Sequence, residues 1–163
     1  MVDKVKQGKR NRANGAAFEL RTRKDLEAKN WIVDKWSNNV ELCDNEGICN
    51  EGYACDACPI SGKLIPAKRK YNAFSKVMAI GTGFPDFACS SWLATNQNSS
   101  MYEFIGVECK SNGKLDKIEK EKCRWLLDNH IFSKILIAEK TKPSNKIVIV
   151  YHDFEDKYGV VTK

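Results

Sequence analysis

Asp86 and Glu108 lie 22 residues apart, each in an apolar, β-prone stretch, and Lys110 stands two places after Glu108. The first stretch reads Gly83-Phe84-Pro85-Asp86-Phe87-Ala88-Cys89; the second reads Tyr102-Glu103-Phe104-Ile105-Gly106-Val107-Glu108-Cys109-Lys110. Charges at the end of a buried strand are costly unless something compensates them. Strand geometry turns residues 108 and 110 to one face and Cys109 to the other. Two carboxylates and an ammonium delivered by adjacent strands suit metal-dependent hydrolysis of a phosphodiester. The carboxylates offer hard oxygens to Mg²⁺ or Mn²⁺, and the lysine steadies the attacking water or the charge that builds at phosphorus.

These side chains need elements to hold them. Residues 15–29 read as an amphipathic helix, with Asn14 as N-cap and Asn30 as a left-handed exit. Trp31–Trp36 reads as a first strand, continuing toward Leu42. Residues 84–93 and 101–109 read as a β-hairpin about the turn Asn96-Gln97-Asn98-Ser99-Ser100. Pro85 cannot donate a ladder hydrogen bond, so it marks a strand start or bulge that lets Asp86 face a cleft. The Gly81-Thr82-Gly83 run before it permits close approach of a phosphate to the backbone. A helix over 115–129 and strands at 132–139 and 146–152 complete the chain. In that helix Leu115, Ile118, Lys122, Trp125 and Asn129 form one stripe, with Lys122 interrupting an apolar face. The order α-β-β-β-α-β-β predicts an α/β fold, a mixed sheet flanked by helices, in a single domain spanning 1–163.

At Pro85-Asp86 and Glu108-x-Lys110 the chain resembles the PD-(D/E)xK nuclease superfamily, nearest in look to archaeal and viral Holliday-junction resolvases. Gly15-Ala16-Ala17-Phe18-Glu19 fits a first-helix Gly-x-x-Phe-Glu pattern of resolvase-like members. The resemblance covers 15–29, 31–37 and 83–140 and implies a restriction-endonuclease-like αβββαβ core. It implies that Glu19, Asp86, Glu108 and the Cys109 backbone carbonyl hold the metal, with Lys110 and Lys122 serving the reaction. Resolvase-like helices often carry Gln three places before an aromatic; here Lys122 stands three before Trp125. His130 and His152 have no part in this scheme and read as helix-end and loop residues. The resemblance implies an Mg²⁺-dependent endodeoxyribonuclease, acting on DNA as a homodimer. A restriction- or repair-type nuclease on duplex or flapped DNA, and a non-cleaving nucleic-acid-binding protein on the same fold, are the alternatives.

Charge is distributed unevenly. The net charge is +6, and residues 1–12 carry five bases and one acid. Lys9, Arg10 and Arg12 in that segment read as a flexible basic arm for DNA, and Lys68, Arg69 and Lys70 as a second phosphate-contacting run. Between them lies a Cys-rich, acidic insertion, 43–66. Its Cys43, Cys49, Cys55 and Cys58 read as a structural zinc site or as two disulfides; free thiols are the third option. Cys89, Cys109 and Cys123 read as buried small hydrophobes. No apolar run exceeds five residues and the N-terminus lacks an apolar core, which predicts an intracellular protein without membrane segment or signal peptide.

Overall fold

The computed structural model describes residues 4–42, 62–67, 70–72, 77–79, 83–96 and 99–159. The four clustered cysteines, Cys43, Cys49, Cys55 and Cys58, lie outside them, as do Lys68 and Arg69.

Lys4–Ala28 is one helix, α1. The basic segment expected as a flexible arm is therefore helical from Lys4, and Asn14 lies inside the helix instead of capping it. The reason is local: Lys, Gln and Arg are strong helix formers, and a helix nucleated by its packed half extends residue by residue. That packed half buries Phe18, Thr22 and Leu26 at four-residue spacing. The Thr22 hydroxyl donates to the Phe18 carbonyl at 3.1 Å. Asn30, at φ 66°, ends the helix as the sequence implies.

Strand β1 (Ile32–Lys35) is shorter than expected. The chain leaves the sheet at Trp36, and β2 (Asn38–Leu42) pairs instead with β3 (Gly62–Pro66), antiparallel. The last residues of the expected insertion are thus a strand, and the cysteine-rich segment connects the two arms of this hairpin. A second ribbon, β4 (Lys70–Asn72) with β5 (Val77–Ala79), has no counterpart in the sequence reading.

The main sheet has the order β1-β6-β7-β8-β9. β6 is Phe87–Asn96 and β7 is Ser99–Cys109, the expected hairpin, with the Pro-Asp segment leading into it. β8 (Lys134–Thr141) runs parallel to β7, and β9 (Val148–Asp153) runs antiparallel to β8. Helix α2 (Lys117–Asp128) makes the crossover between β7 and β8, and a short helix α3 (Phe154–Tyr158) follows β9. The fold is α/β, with a mixed five-stranded sheet between helices, as the order of elements predicts.

Each sheet face has its own core. Ile105 and Val107 of β7 join Phe18, Leu26, Val33, Phe87 and Cys89 under α1. On the other face Cys123, Trp125 and Leu126 of α2 pack with Phe132, Ile135, Ile137 and Phe154. Cys89 and Cys123 are buried free thiols, and Cys109 is half-buried. Of the expected stripe, Leu115 and Trp125 are buried in the core beneath α2, but Ile118 is 59% exposed and stands outside it. Asp116 caps this helix, and its buried residues are Cys123, Trp125 and Leu126.

The far half of the β6–β7 hairpin projects past its neighbours. β1 pairs only as far as Ser90, and β8 begins its pairing at Ile105. Trp92, Leu93, Met101 and Tyr102 are exposed on this projection, and the pairing register shifts between Trp92 and Ala94.

Candidate active site

The hairpin register sets the site. Phe87 pairs with Val107, which brings Asp86 opposite Glu108 at the end of the strand pair. Gly106 precedes Glu108 on the same face; a Cβ there would come within 2.8 Å of the Pro85 ring and 3.2 Å of Phe132. Its bareness lets Pro85 lie flat on β7. Gly83 is more constrained still, since a Cβ would lie 2.1 Å from the Trp36 carbonyl oxygen. The close approach expected here for a phosphate is made instead to the Trp36 and Asn38 backbone; Gly81 and Thr82 lie outside the described residues. The Phe84 amide donates to the Asn38 carbonyl at 2.8 Å, and the Trp36 amide to the Asp86 carbonyl at 3.2 Å. The segment carrying Asp86 is thereby pinned where β1 gives way to β2.

Asp86 and Glu108 orient one another through the backbone. The Asp86 amide donates to Glu108 Oε2 at 3.1 Å, and the Cys109 amide donates to Asp86 Oδ2 at 3.0 Å. Each carboxylate therefore keeps one oxygen fixed on a strand amide. Lys110 Nζ lies 3.1 Å from Glu108 Oε1 and also contacts Glu119 Oε1. Glu119 in turn closes the capping box of α2: its Oε2 accepts from the Asp116 amide at 3.0 Å, and Asp116 Oδ1 accepts from the Glu119 amide at 2.8 Å. On the opposite side Lys35 Nζ bridges Glu19 Oε2 at 2.7 Å and Asp86 Oδ1 at 3.4 Å.

The electrostatics follow from burial. Glu108 is 6% exposed. Desolvation, and then the neighbouring Asp86 charge, push its carboxyl well above the usual range; Lys110 offsets part of this. Asp86 is also raised, by burial first, although the Cys109 amide and Lys35 pull the other way. Burial works against the Lys110 ammonium, but its bonds to Glu119 and Glu108 outweigh it and hold the lysine charged. Lys35 is raised in the same way by Glu19 and Asp86 against its own desolvation. The site holds more negative charge than its surroundings compensate.

Five of the sequence-derived residues converge here: Glu19, Asp86, Glu108, Cys109 and Lys110. Glu19 sits at the margin of the packed face of α1, which Phe18, Thr22 and Leu26 form, and faces Lys35. Lys122 turns elsewhere: its amine donates to Asn39 Oδ1 at 2.8 Å and stands 5.7 Å from the Phe84 ring centroid. It braces β2 against the segment leading to Asp86. Lys9, Arg10 and Arg12 are exposed on α1; Lys70 lies in β4. His130 follows the end of α2, as expected, whereas His152 lies in strand β9 and not in a loop, 2.7 Å from Glu139.

Comparison with protein-family models, with curated proteins and with solved structures finds no match. The chemistry of the site therefore rests on its own geometry. Among the described residues no three His, Cys, Asp or Glu side chains form a ready metal cage. The donor set that does converge is the buried Glu108 carboxylate and the part-buried Asp86 carboxylate, both hard oxygen donors, both disfavoured as anions chiefly by desolvation, which Lys110 and Lys35 offset only in part. That set fits a hard divalent ion such as Mg²⁺. Lys35 and Glu119 escaped the sequence reading. The pattern Asp116-x-x-Glu119 is a capping signal and could have located Glu119 at the start of α2. Nothing in the sequence marks Lys35, which is brought to Asp86 by the pairing of β1 with β6.

Proposed function

We propose that this chain is a divalent-metal-dependent nuclease that hydrolyses phosphodiester bonds of DNA. The observation that carries the reading is the reciprocal lock between Asp86 and Glu108, with Lys110 against Glu108. The antiparallel run β1-β6-β7, the crossover helix α2 and the parallel strand β8 support a restriction-endonuclease-like core. No described helix is long and apolar enough to cross a membrane.

Asp86, Glu108 and the Cys109 carbonyl would hold Mg²⁺ or Mn²⁺. When bound, such an ion polarises a phosphate and makes water a better nucleophile at neutral pH. The protein's own groups do the rest. The amides of Asp86 and Cys109 fix the two carboxylates. Lys110, kept protonated by Glu108 and Glu119, offers its charge to the attacking water and to the oxygens of the scissile group. Glu119 positions Lys110. Glu19, tied to Lys35, stands behind Asp86 as a reserve acceptor. The exposed bases Lys9, Arg10 and Arg12 lie along α1 and suit the flanking backbone. A homodimer would present two such sites to two strands.

The test is a panel of labelled linear, flapped and four-way DNAs incubated with Mg²⁺. Cleavage that Asp86→Asn abolishes supports the reading, and the preferred member of the panel separates a resolvase from a restriction- or repair-type enzyme. Binding of every DNA without cleavage, in Mg²⁺ and in Mn²⁺, would point to the non-catalytic alternative.

A further inference from the structure

Beside the two carboxylates a cleft of about 330 Å³ opens between the overhanging half of α1 and the ends of β7 and β8. Its walls are Asn11, Asn14 and Gly15 of α1, Ser111 after β7, and Lys140 of β8; its floor is Phe18 and Cys109. Cys109 is the residue whose amide holds Asp86, so the cleft adjoins the proposed reaction centre.

Three observations mark this cleft as built to receive something. Lys140 is half-buried and makes no ion pair among the described residues, although its neighbour Glu139 is engaged by His152. Asn11, Asn14 and Ser111 likewise make no side-chain hydrogen bond among the described residues. Four polar side chains from three elements thus turn one ammonium, two amides and one hydroxyl toward a common space. Gly15 is the third observation. Glycine inside a helix costs about 1 kcal/mol relative to alanine. No tight contact repays that cost, because a Cβ at Gly15 would meet nothing within 4 Å. The missing side chain leaves the cleft open.

Resting on the nuclease reading, we infer that this cleft seats a phosphate of the DNA strand flanking the scissile bond. Lys140 supplies the charge, and Ser111 and the amides of Asn11 and Asn14 supply donors to its oxygens. A nucleic-acid backbone fits better than an isolated anion, because the cleft is open at the surface. Arg10 and Arg12 flank Asn11 at about 100° to either side on the helix, ready for adjoining phosphates.

The test is a binding cycle in chelator, where no strand is cut, using a fluorescein-labelled duplex. Its subjects are the wild type, Lys140→Ala, Gly15→Leu and the double variant. Leucine at residue 15 strengthens the helix while filling the cleft, and Asn14→Leu repeats the block from the adjacent position. Each single variant should bind about tenfold more weakly, the scale of one charged hydrogen bond. The slope of log affinity against log salt should fall by about 0.9, the signature of one lost phosphate contact. The double variant should bind no more weakly than the weaker single, since both remove the same contact. Additive losses, or wild-type binding by both cleft-filling variants, would overturn the cleft and leave Lys140 as general surface charge. The nuclease reading fails separately: if wild type cuts nothing, or Asp86→Asn cuts normally, these binding data still decide the cleft.

Discussion

Lys35 and Lys110 each stand between two carboxylates, on opposite flanks of the same strand ends. Lys35, 40% exposed, joins Glu19 of α1 to Asp86. Lys110, 26% exposed, joins Glu108 to Glu119 of α2. The first clamp faces water and also lies 4.9 Å from the Phe87 ring centroid. The second is roofed by α2 and tied into that helix's capping box. Exposed ion pairs contribute little, ~0–1 kcal/mol, whereas an ion left alone in a buried place is costly. On the proposed nuclease reading, the difference suggests a division of roles. The Lys110 clamp is preorganised and suits chemistry, and the Lys35 clamp is adjustable and suits orientation.

The largest effect should come from the reacting set itself. Asp86→Ala, Glu108→Ala and Lys110→Ala should each lower cleavage at least about a hundredfold, the scale of losing a metal ligand or charge stabiliser. Duplex binding in chelator should persist, because exposed bases supply most of it. Full activity in Asp86→Ala would sink the metal assignment.

A sharper comparison pits the two outer glutamates against each other. Glu119→Gln keeps an oxygen for the Asp116 amide but loses the ion pair to Lys110, so cleavage should fall about tenfold at unchanged melting temperature. Glu19→Gln should cost about threefold, a fraction of a tenfold step on the same scale. A loss in Glu19→Gln as large as in Asp86→Ala would make Glu19 a direct ligand and reverse the roles of the two clamps.

The burial of Glu108 predicts a pH signature. Its carboxyl, pushed up to about 8 by desolvation and Asp86, binds its proton more tightly folded than unfolded. Its stabilising contribution is complete below the ordinary glutamate range and is lost as pH rises through about 8. In metal-free buffer, wild type should therefore lose stability relative to Glu108→Gln over that interval, measured by urea unfolding. A constant difference between the two proteins would show that Glu108 ionises freely.

The smallest effect belongs to Lys122. Its amine is engaged by Asn39, so Lys122→Met should leave cleavage within about twofold while lowering stability by ~1 kcal/mol, the net worth of one hydrogen bond. A hundredfold loss would return Lys122 to the reaction centre.

What could be read in advance follows the range of the physics. The pairing of Glu108 with Lys110 is a period-two property of one strand, and the hairpin that opposes Asp86 is signalled by its own turn. Both are local, and both are legible. The end of β1 is not, because Trp36 leaves the sheet to meet the Asp86 segment, 50 residues away in sequence. The role of Lys35 is hidden for the same reason. The full reach of α1 is hidden by its charge, which resembles that of a disordered arm, although lysine and arginine are good helix formers. Lys122 does share a stripe with the buried Leu115 and Trp125, but its partner Asn39 is 83 residues away on β2, which helix periodicity cannot reveal.

The projecting half of the β6–β7 hairpin carries a different consequence, one for handling the protein in solution. Among the described residues no further strand adds to its outer edges, and it displays Trp92, Leu93, Met101 and Tyr102. A flat apolar ribbon of that kind would template edge-to-edge stacking between molecules. The register shift between Trp92 and Ala94 twists the ribbon just where its largest side chain stands. A ribbon twisted in this way is a poor template for edge-to-edge stacking, so the irregularity works against self-association at the surface where it stands.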